Sequence, residues 1–271
     1  MRIMGVLNVT PDSFSDGGAW MDPVQAVQHA RDLRADGADY IDVGGESTRP
    51  GSVRVPLVEE QRRVLPVIRA LAAEQIPVSV DTMNAETARA AVAAGASVIN
   101  DVSGGLLDPD MVPVVAATGA HVVISHWRGL LGSPADRTDY DDVVTEVCAH
   151  LAARVDAYLA AGVNPERIIV DPGLGFSKTG EQNWRLLGEI EAVADLGFPV
   201  LIGASRKRFL SHFAPRLKTD GAGDRAVRDA ATAAITALLA DRPVWGVRVH
   251  NVAASTAALR TAERIRKPVR V

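Results

Sequence analysis

A single cysteine, Cys148, is the whole thiol content of this 271-residue chain, so no disulfide can form within it. Its place in an Ala/Val-rich helical stretch points to a packed, inert thiol. Aromatic residues make up only 4%, so a core drawn from the 47% apolar content must be built of Val, Ile, Leu and Ala. Those residues suit buried parallel strands covered by small-faced helices. Basic surplus is missing too: the net charge is −4, and no basic run or aromatic-basic interleaving occurs, which argues against a nucleic-acid partner. Apolar runs of transmembrane length are lacking, so no membrane role is expected. The opening MRIMGVLNVT enters a strand-like run without a signal-peptide layout, and a reducing cytoplasmic setting is expected.

What is present is an alternation of two textures. Short apolar runs ending in polar residues are followed by longer Ala-rich amphipathic stretches. Strands are expected at Ile3–Leu7, Tyr40–Val43, Pro77–Val80, Ser97–Ile99, His121–Ser125, Ile168–Val170, Val200–Ile202 and Gly246–Val249. Helices are expected near 23–36, 57–74, 84–94, 109–118, 140–161, 182–196, 224–240 and 252–266. Asp22-Pro23 opens the first helix in cap-then-proline style and Gly37 ends it; Asn84 and Gly95 bracket the third, and Gly162 closes the fifth. Eight such units at roughly 34 residues each predict an α/β fold, one (β/α)₈ TIM barrel spanning 1–271 as a single domain. An open doubly wound sheet would show edge strands and a glycine-rich first turn, and neither is evident.

The strand ends carry the chemistry. In order they are Asn8; Asp42 with the GGESTRPG loop; Asp81-Thr82; Asn100-Asp101; His126-Trp127-Arg128; Asp171-Pro172-Gly173; Ser205-Arg206-Lys207; and Arg248 with His250. Any one of them could be a helix cap or turn former. Eight out of eight is different, because a barrel gathers every strand end around one mouth. Acids and amides (Asp81, Asn100, Asp171) can read the edge of a flat heterocycle, and cations (Arg248, His250, Lys207, Arg206, Arg49) suit an anionic group. The expected ligand is a heterocycle carrying phosphate. Two long loops, VTPDSFSDGGAW and ESTRPGSVRV, are expected to act as lids over it.

At these residues the chain resembles the dihydropteroate synthases, bacterial folate-pathway enzymes built on a pterin-binding barrel. The segments that carry the resemblance are MGVLNVTPDSFSDGG, DVGGESTRPG, VSVDT, INDVSGG, HWR, DPGLGFSK, IGASRKRF and GVRVHNV, in family order from first strand to last. The resemblance implies condensation of 6-hydroxymethyl-7,8-dihydropterin pyrophosphate with p-aminobenzoate, releasing pyrophosphate and 7,8-dihydropteroate. It implies that Asp81, Asn100, Asp171 and Lys207 bind the pterin. Asn8, Arg248 and His250 would hold pyrophosphate, with Asn8 also contacting Mg²⁺. Phe14, Asp16, Thr48, Arg49, Pro50 and Ser205 would shape the p-aminobenzoate pocket, and Asp16, Thr48, Arg49, Lys207 and Arg248 form the implied catalytic set. A homodimer through the late helices and sulfonamide targeting are implied as well. Two departures stand out: Ser125 precedes HWR where the family commonly has Met, and Asn251 replaces the more frequent Asp.

Other readings meet specific objections. A methyltetrahydrofolate-dependent methyltransferase would need neither the two long loops nor the RVH motif. A catalytically inactive pterin-binding paralogue should have lost NVTPDSFSDGG or ESTRPG. A metal-dependent barrel hydrolase would want His-x-His after the first strand, where Leu7-Asn8-Val9 stands.

Overall fold

The computed structural model describes residues 1–10, 23–46, 54–130, 132–213 and 221–266. Eight parallel strands lie in the order β6-β5-β4-β3-β2-β1-β8-β7. They are β1 (Arg2–Asn8), β2 (Tyr40–Gly44), β3 (Val78–Asp81), β4 (Val98–Asp101), β5 (His121–Ser125), β6 (Ile168–Asp171), β7 (Leu201–Ile202) and β8 (Gly246–Val249). A lone bridge between Val170 and Val200 joins the two ends of that order, so the sheet closes into the expected barrel. This seam is the thinnest part of the ring. Pro199 has no N–H to offer and only accepts, taking the Val170 N–H at 2.9 Å.

Helices cover the outside: α1 (Pro23–Ala35), α2 (Leu57–Ala73), α3 (Ala85–Ala93), α4 (Met111–Thr118), α5 (Val143–Ala160), α6 (Gly180–Gly188), α7 (Ile190–Ala194), α8 (Gly221–Leu239) and α9 (Val252–Arg266). Their buried faces and the outward strand residues form one continuous apolar shell. Each large aliphatic side chain withdrawn there contributes about 1.5–3 kcal/mol over leaving it in water. Inside the ring, Met4, Val98, Val123, Ile169 and Leu201 make a separate plug, floored by Tyr40 and Trp245 with ring centroids 5.7 Å apart. The plug fills the lower barrel with apolar atoms and leaves only the strand C-terminal end for polar groups.

Several boundaries differ from expectation for physical reasons. Strands β3, β4 and β6 run through Asp81, Asp101 and Asp171, so polar residues expected beyond the ladder are part of it. The stretch 182–196 is two helices, because the chain leaves helical geometry at Glu189, just after Gly188. Helix α5 starts at Val143, capped by the Asp142 carboxylate on the Thr145 N–H. Asn84 does sit before α3, yet its amide donates to Glu60 (2.8 Å) instead of capping. Short 3-10 turns at Pro165–Arg167 and Arg208–Phe213 had no sequence expectation. Asp22 lies outside the described residues.

Candidate functional site

Strand parity decides which polar residues enter the barrel. Register partners in a parallel ladder face the same side, and side chains alternate along each strand. Met4 is inward, so its partner Arg248 is inward, and Asn8 shares the face. Asn8 pairs with Gly44, Gly44 with Asp81, and Asp81 with Asn100. Asn100 pairs with inward Val123, and Ser125 with Asp171. The mouth is therefore lined by Asn8, Asp42, Asp81, Asn100, Ser125, Asp171 and Arg248. Asp101 has the opposite parity: its carboxylate takes the Ser103 N–H and hydroxyl and the Gly105 N–H, and serves the turn.

On one side of this mouth the charges are matched. Arg248 donates from Nε to Asp42 (2.5 Å) and from Nη2 to Asp81 (2.6 Å), while Asn100 donates its amide to the same Asp42 oxygen (3.0 Å). Burial works against the Arg248 charge, but the two carboxylates outweigh it and hold the guanidinium above its usual range. Asp81 is pushed up, because burial outweighs the pull of Arg248 and Asp42 adds like charge. The other Asp42 oxygen is buried with no partner among the described residues. Asp42 was legible only as a strand end; its parity with inward Tyr40 was the signal for its role.

The opposite side is built from cations with few carboxylates. Lys207 is half-buried, with its ammonium over the Phe176 ring, 3.8 Å from the centroid. Burial, reinforced by Arg248, pushes its pKa down to about 8. Lys178, which sequence reading passed over, places its ammonium on His126 Nδ1 (2.9 Å) and the carbonyls of Gly173 and Phe176 (3.0 and 3.1 Å). Burial pushes it down to about 7, with Asp171 pulling the other way. Since Lys178 donates to Nδ1, the His126 proton sits on Nε2, which is buried without a partner among the described residues. Burial first, then Lys178, drives His126 down to about 2, so it is neutral.

The turn after β6 brings these groups together. Asp171 accepts the Gly173 N–H at 2.7 Å, and burial raises its carboxyl despite that bond. Gly173 (φ +66°) allows no side chain, since a Cβ would come within 2.2 Å of the His126 carbonyl oxygen. Gly175 (φ +75°) is equally constrained, with the Lys207 stem 2.7 Å from its Cβ position. Across the mouth, Ser205 Oγ lies 3.0 Å from His250 Nδ1 and accepts the His250 N–H at 3.1 Å. These two contacts join the ends of β7 and β8.

Two strand-end cations, Arg206 and Arg128, turn away. Arg206 is directed outward, as a bidentate partner of Asp229 on α8 (2.7 and 2.8 Å), because its left-handed backbone (φ +60°) reverses its direction. Arg128 stacks over Tyr140 (3.7 Å) and reaches Glu146 (2.9 Å), lining with Trp127 and His150 an outer cleft of about 680 Å³. Phe14, Asp16, Thr48, Arg49 and Pro50, and with them most of both long loops, lie outside the described residues. Asn8 is half-buried, with no side-chain partner among the described residues. No cluster of three or more His, Cys, Asp or Glu suited to a metal occurs among the described residues, and no described helix is long and apolar enough to cross a membrane.

Residues 4–250 match the family model described as pterin binding enzyme. The dihydropteroate synthase of Mycobacterium leprae is 49% identical over 266 residues, covering 96% of this chain and 92% of the relative. A Xanthomonas albilineans dihydropteroate synthase solved with 4-aminobenzoic acid superposes with TM-score 0.87 at 43% identity, covering 98% of this chain and 93% of that one. The same bacterial protein solved with 7,8-dihydropteroate gives TM-score 0.84 at 41% identity over the same shares.

Proposed function

The chain belongs to the pterin-binding enzyme family, within its dihydropteroate synthases, and from that premise we propose how its own residues divide the work. It condenses 6-hydroxymethyl-7,8-dihydropterin pyrophosphate with p-aminobenzoate to give 7,8-dihydropteroate and pyrophosphate. The observation that supports the division is the two-sided mouth, acids on one flank and half-buried lysines on the other.

Asp171 is the pterin anchor. One oxygen is held by the Gly173 N–H, and the second is left for the donor edge of the heterocycle. Asn100 spends its amide N–H on Asp42, which leaves its carbonyl oxygen as an acceptor facing the same space. Lys207 adds a half-buried donor above Phe176. Arg248 uses Nε and Nη2 on the acids and keeps its Nη1 hydrogens for the pyrophosphate. His250, tied to Ser205, completes the anion-binding rim.

Reaction breaks the bond between the pterin methylene carbon and the pyrophosphate oxygen and forms a carbon–nitrogen bond to the aniline nitrogen, which then loses its proton to solvent. The aniline is nucleophilic enough to dispense with a Ser-His-Asp arrangement. Cations at the rim stabilise the departing negative charge in a site closed to water below by the apolar plug. The open Asn8 amide oxygen fits one ligand of a hard cation, and Mg²⁺ held there would neutralise leaving-group charge. Asp16 is proposed to stabilise the electron-poor methylene. Phe14, Thr48, Arg49 and Pro50 are proposed to enclose p-aminobenzoate.

The chain is further proposed to act as a single domain, as a homodimer through α8 and α9, where Leu238 and Ile265 are each 74% exposed, and in a reducing cytoplasm that keeps Cys148 free. Pyrophosphate release tests the reading. Release requiring both substrates is expected; no release with correct folding would favour the inactive paralogue.

A further inference from the structure

Three non-glycine residues of the described chain have left-handed backbones, and two of them stand immediately before the half-buried lysines of the mouth. Arg206 (φ +60°) precedes Lys207, and Ser177 (φ +47°) precedes Lys178; the third, Gln75, follows the end of α2. A side chain disfavours this region, so the surroundings must hold each residue there. They do so in the same way twice.

The Arg206 guanidinium is gripped by Asp229 on α8, and its carbonyl accepts an N–H from Arg228, the preceding residue of that helix (3.2 Å). The Ser177 hydroxyl donates to Asp136 (2.8 Å), and its carbonyl accepts the Tyr140 hydroxyl (3.0 Å). Asp136 and Tyr140 both belong to the β5–α5 connection. In each case a carboxylate accepts from the side chain while a donor from the same segment ties the carbonyl. Fixing that carbonyl fixes the planar peptide leading into the lysine, and with it the direction of the lysine stem.

We propose that Asp229 and Asp136 are positioning residues: each holds a left-handed residue in place and so delivers the next residue's ammonium, Lys207 or Lys178, into the mouth. The inference rests on the pterin-binding reading of Lys207 and extends it to carboxylates that touch no substrate. An ordinary half-exposed ion pair would have little effect on ligand affinity.

Calorimetric titration with the pterin pyrophosphate, alongside thermal unfolding, separates the two. Asp229→Asn is expected to raise Kd about 10-fold, as a sub-ångström displacement of a buried group should, without a matching change in KM for p-aminobenzoate. In a Lys207→Met background the same substitution should add less than about 2-fold, because the residue it acts through is gone. Arg206→Gly should keep most of the affinity, since glycine takes the left-handed region unaided, whereas Arg206→Ala should lose about 10-fold. The pair Ser177→Gly and Ser177→Ala, with Asp136→Asn, repeats the test at Lys178. Equal losses in the glycine and alanine variants, or additive effects of Asp229→Asn and Lys207→Met, overturn the proposal. Should Lys207→Met alone leave Kd unchanged, the pterin-site reading fails first and the proposal falls with it.

Discussion

The two flanks of the barrel mouth hold similar numbers of buried charges in opposite states. Between β8 and β2–β4, Arg248 faces Asp42 and Asp81 at hydrogen-bond distance, and the amide of Asn100 joins them. Between β5 and β7, Lys178 rests on a neutral imidazole and two carbonyls, and Lys207 on an aromatic face. A matched buried pair frames the site, because removing one member strands the other. An unmatched buried cation keeps its attraction for a ligand. On the proposed division, the first flank makes the shape and the second supplies the affinity.

The largest test of this contrast is Arg248→Met. Stranding two buried carboxylates is expected to cost about 3–5 kcal/mol in urea unfolding, along with loss of turnover. A loss below about 1 kcal/mol, the level of an exposed pair, would remove the distinction between the flanks. Lys207→Met is the complementary case: stability unchanged or raised, and pterin-pyrophosphate affinity about 100-fold weaker, the range of a charged hydrogen bond.

Next in size is the dependence on pH. Lys207 is held at about 8 in the fold against 10.5 when unburied, so the folded chain gives up this proton first. Within that window the unfolded chain binds more protons, and stability of the free enzyme should rise with pH relative to Lys207→Met. Affinity for the pterin pyrophosphate should fall over the same window as the ammonium is lost. Parallel trends in unfolding and titration series would count against the unmatched cation. The smallest effect is the control: Cys148→Ser, remote from both flanks with Sγ near the Ala192 carbonyl (3.5 Å), should shift stability by less than about 0.5 kcal/mol and leave turnover unchanged.

The matched flank was largely legible in the sequence. Asp81, Asn100 and Arg248 end apolar strands, and period-2 alternation alone aims them inward. Barrel closure and eight units were legible for the same reason, since apolar runs alternating with amphipathic stretches admit few other folds. The lysine flank was less so. Lys178 sits in a loop, where no periodicity says which way a side chain points. Arg206 read as a ligand-facing cation because its left-handed backbone leaves no mark that composition could reveal. The break at Glu189 and the use of Asn84 by Glu60 depend on neighbours distant in sequence.

The seam between β6 and β7 gives the ring an unusual dependence on its own cargo. One bridge joins those strands, where β1 and β2 share five register pairs. A pterin that accepts from Lys207 and donates to Asp171 spans this gap from one side to the other. Its hydrogen bonds would then serve as extra rungs, and occupancy would be felt as circumferential stiffness as well as affinity. Amide exchange of Val170 and Trp245 should slow most on binding, because those N–H groups, on the Pro199 and Val200 carbonyls, flank the place where the hoop is otherwise weakest.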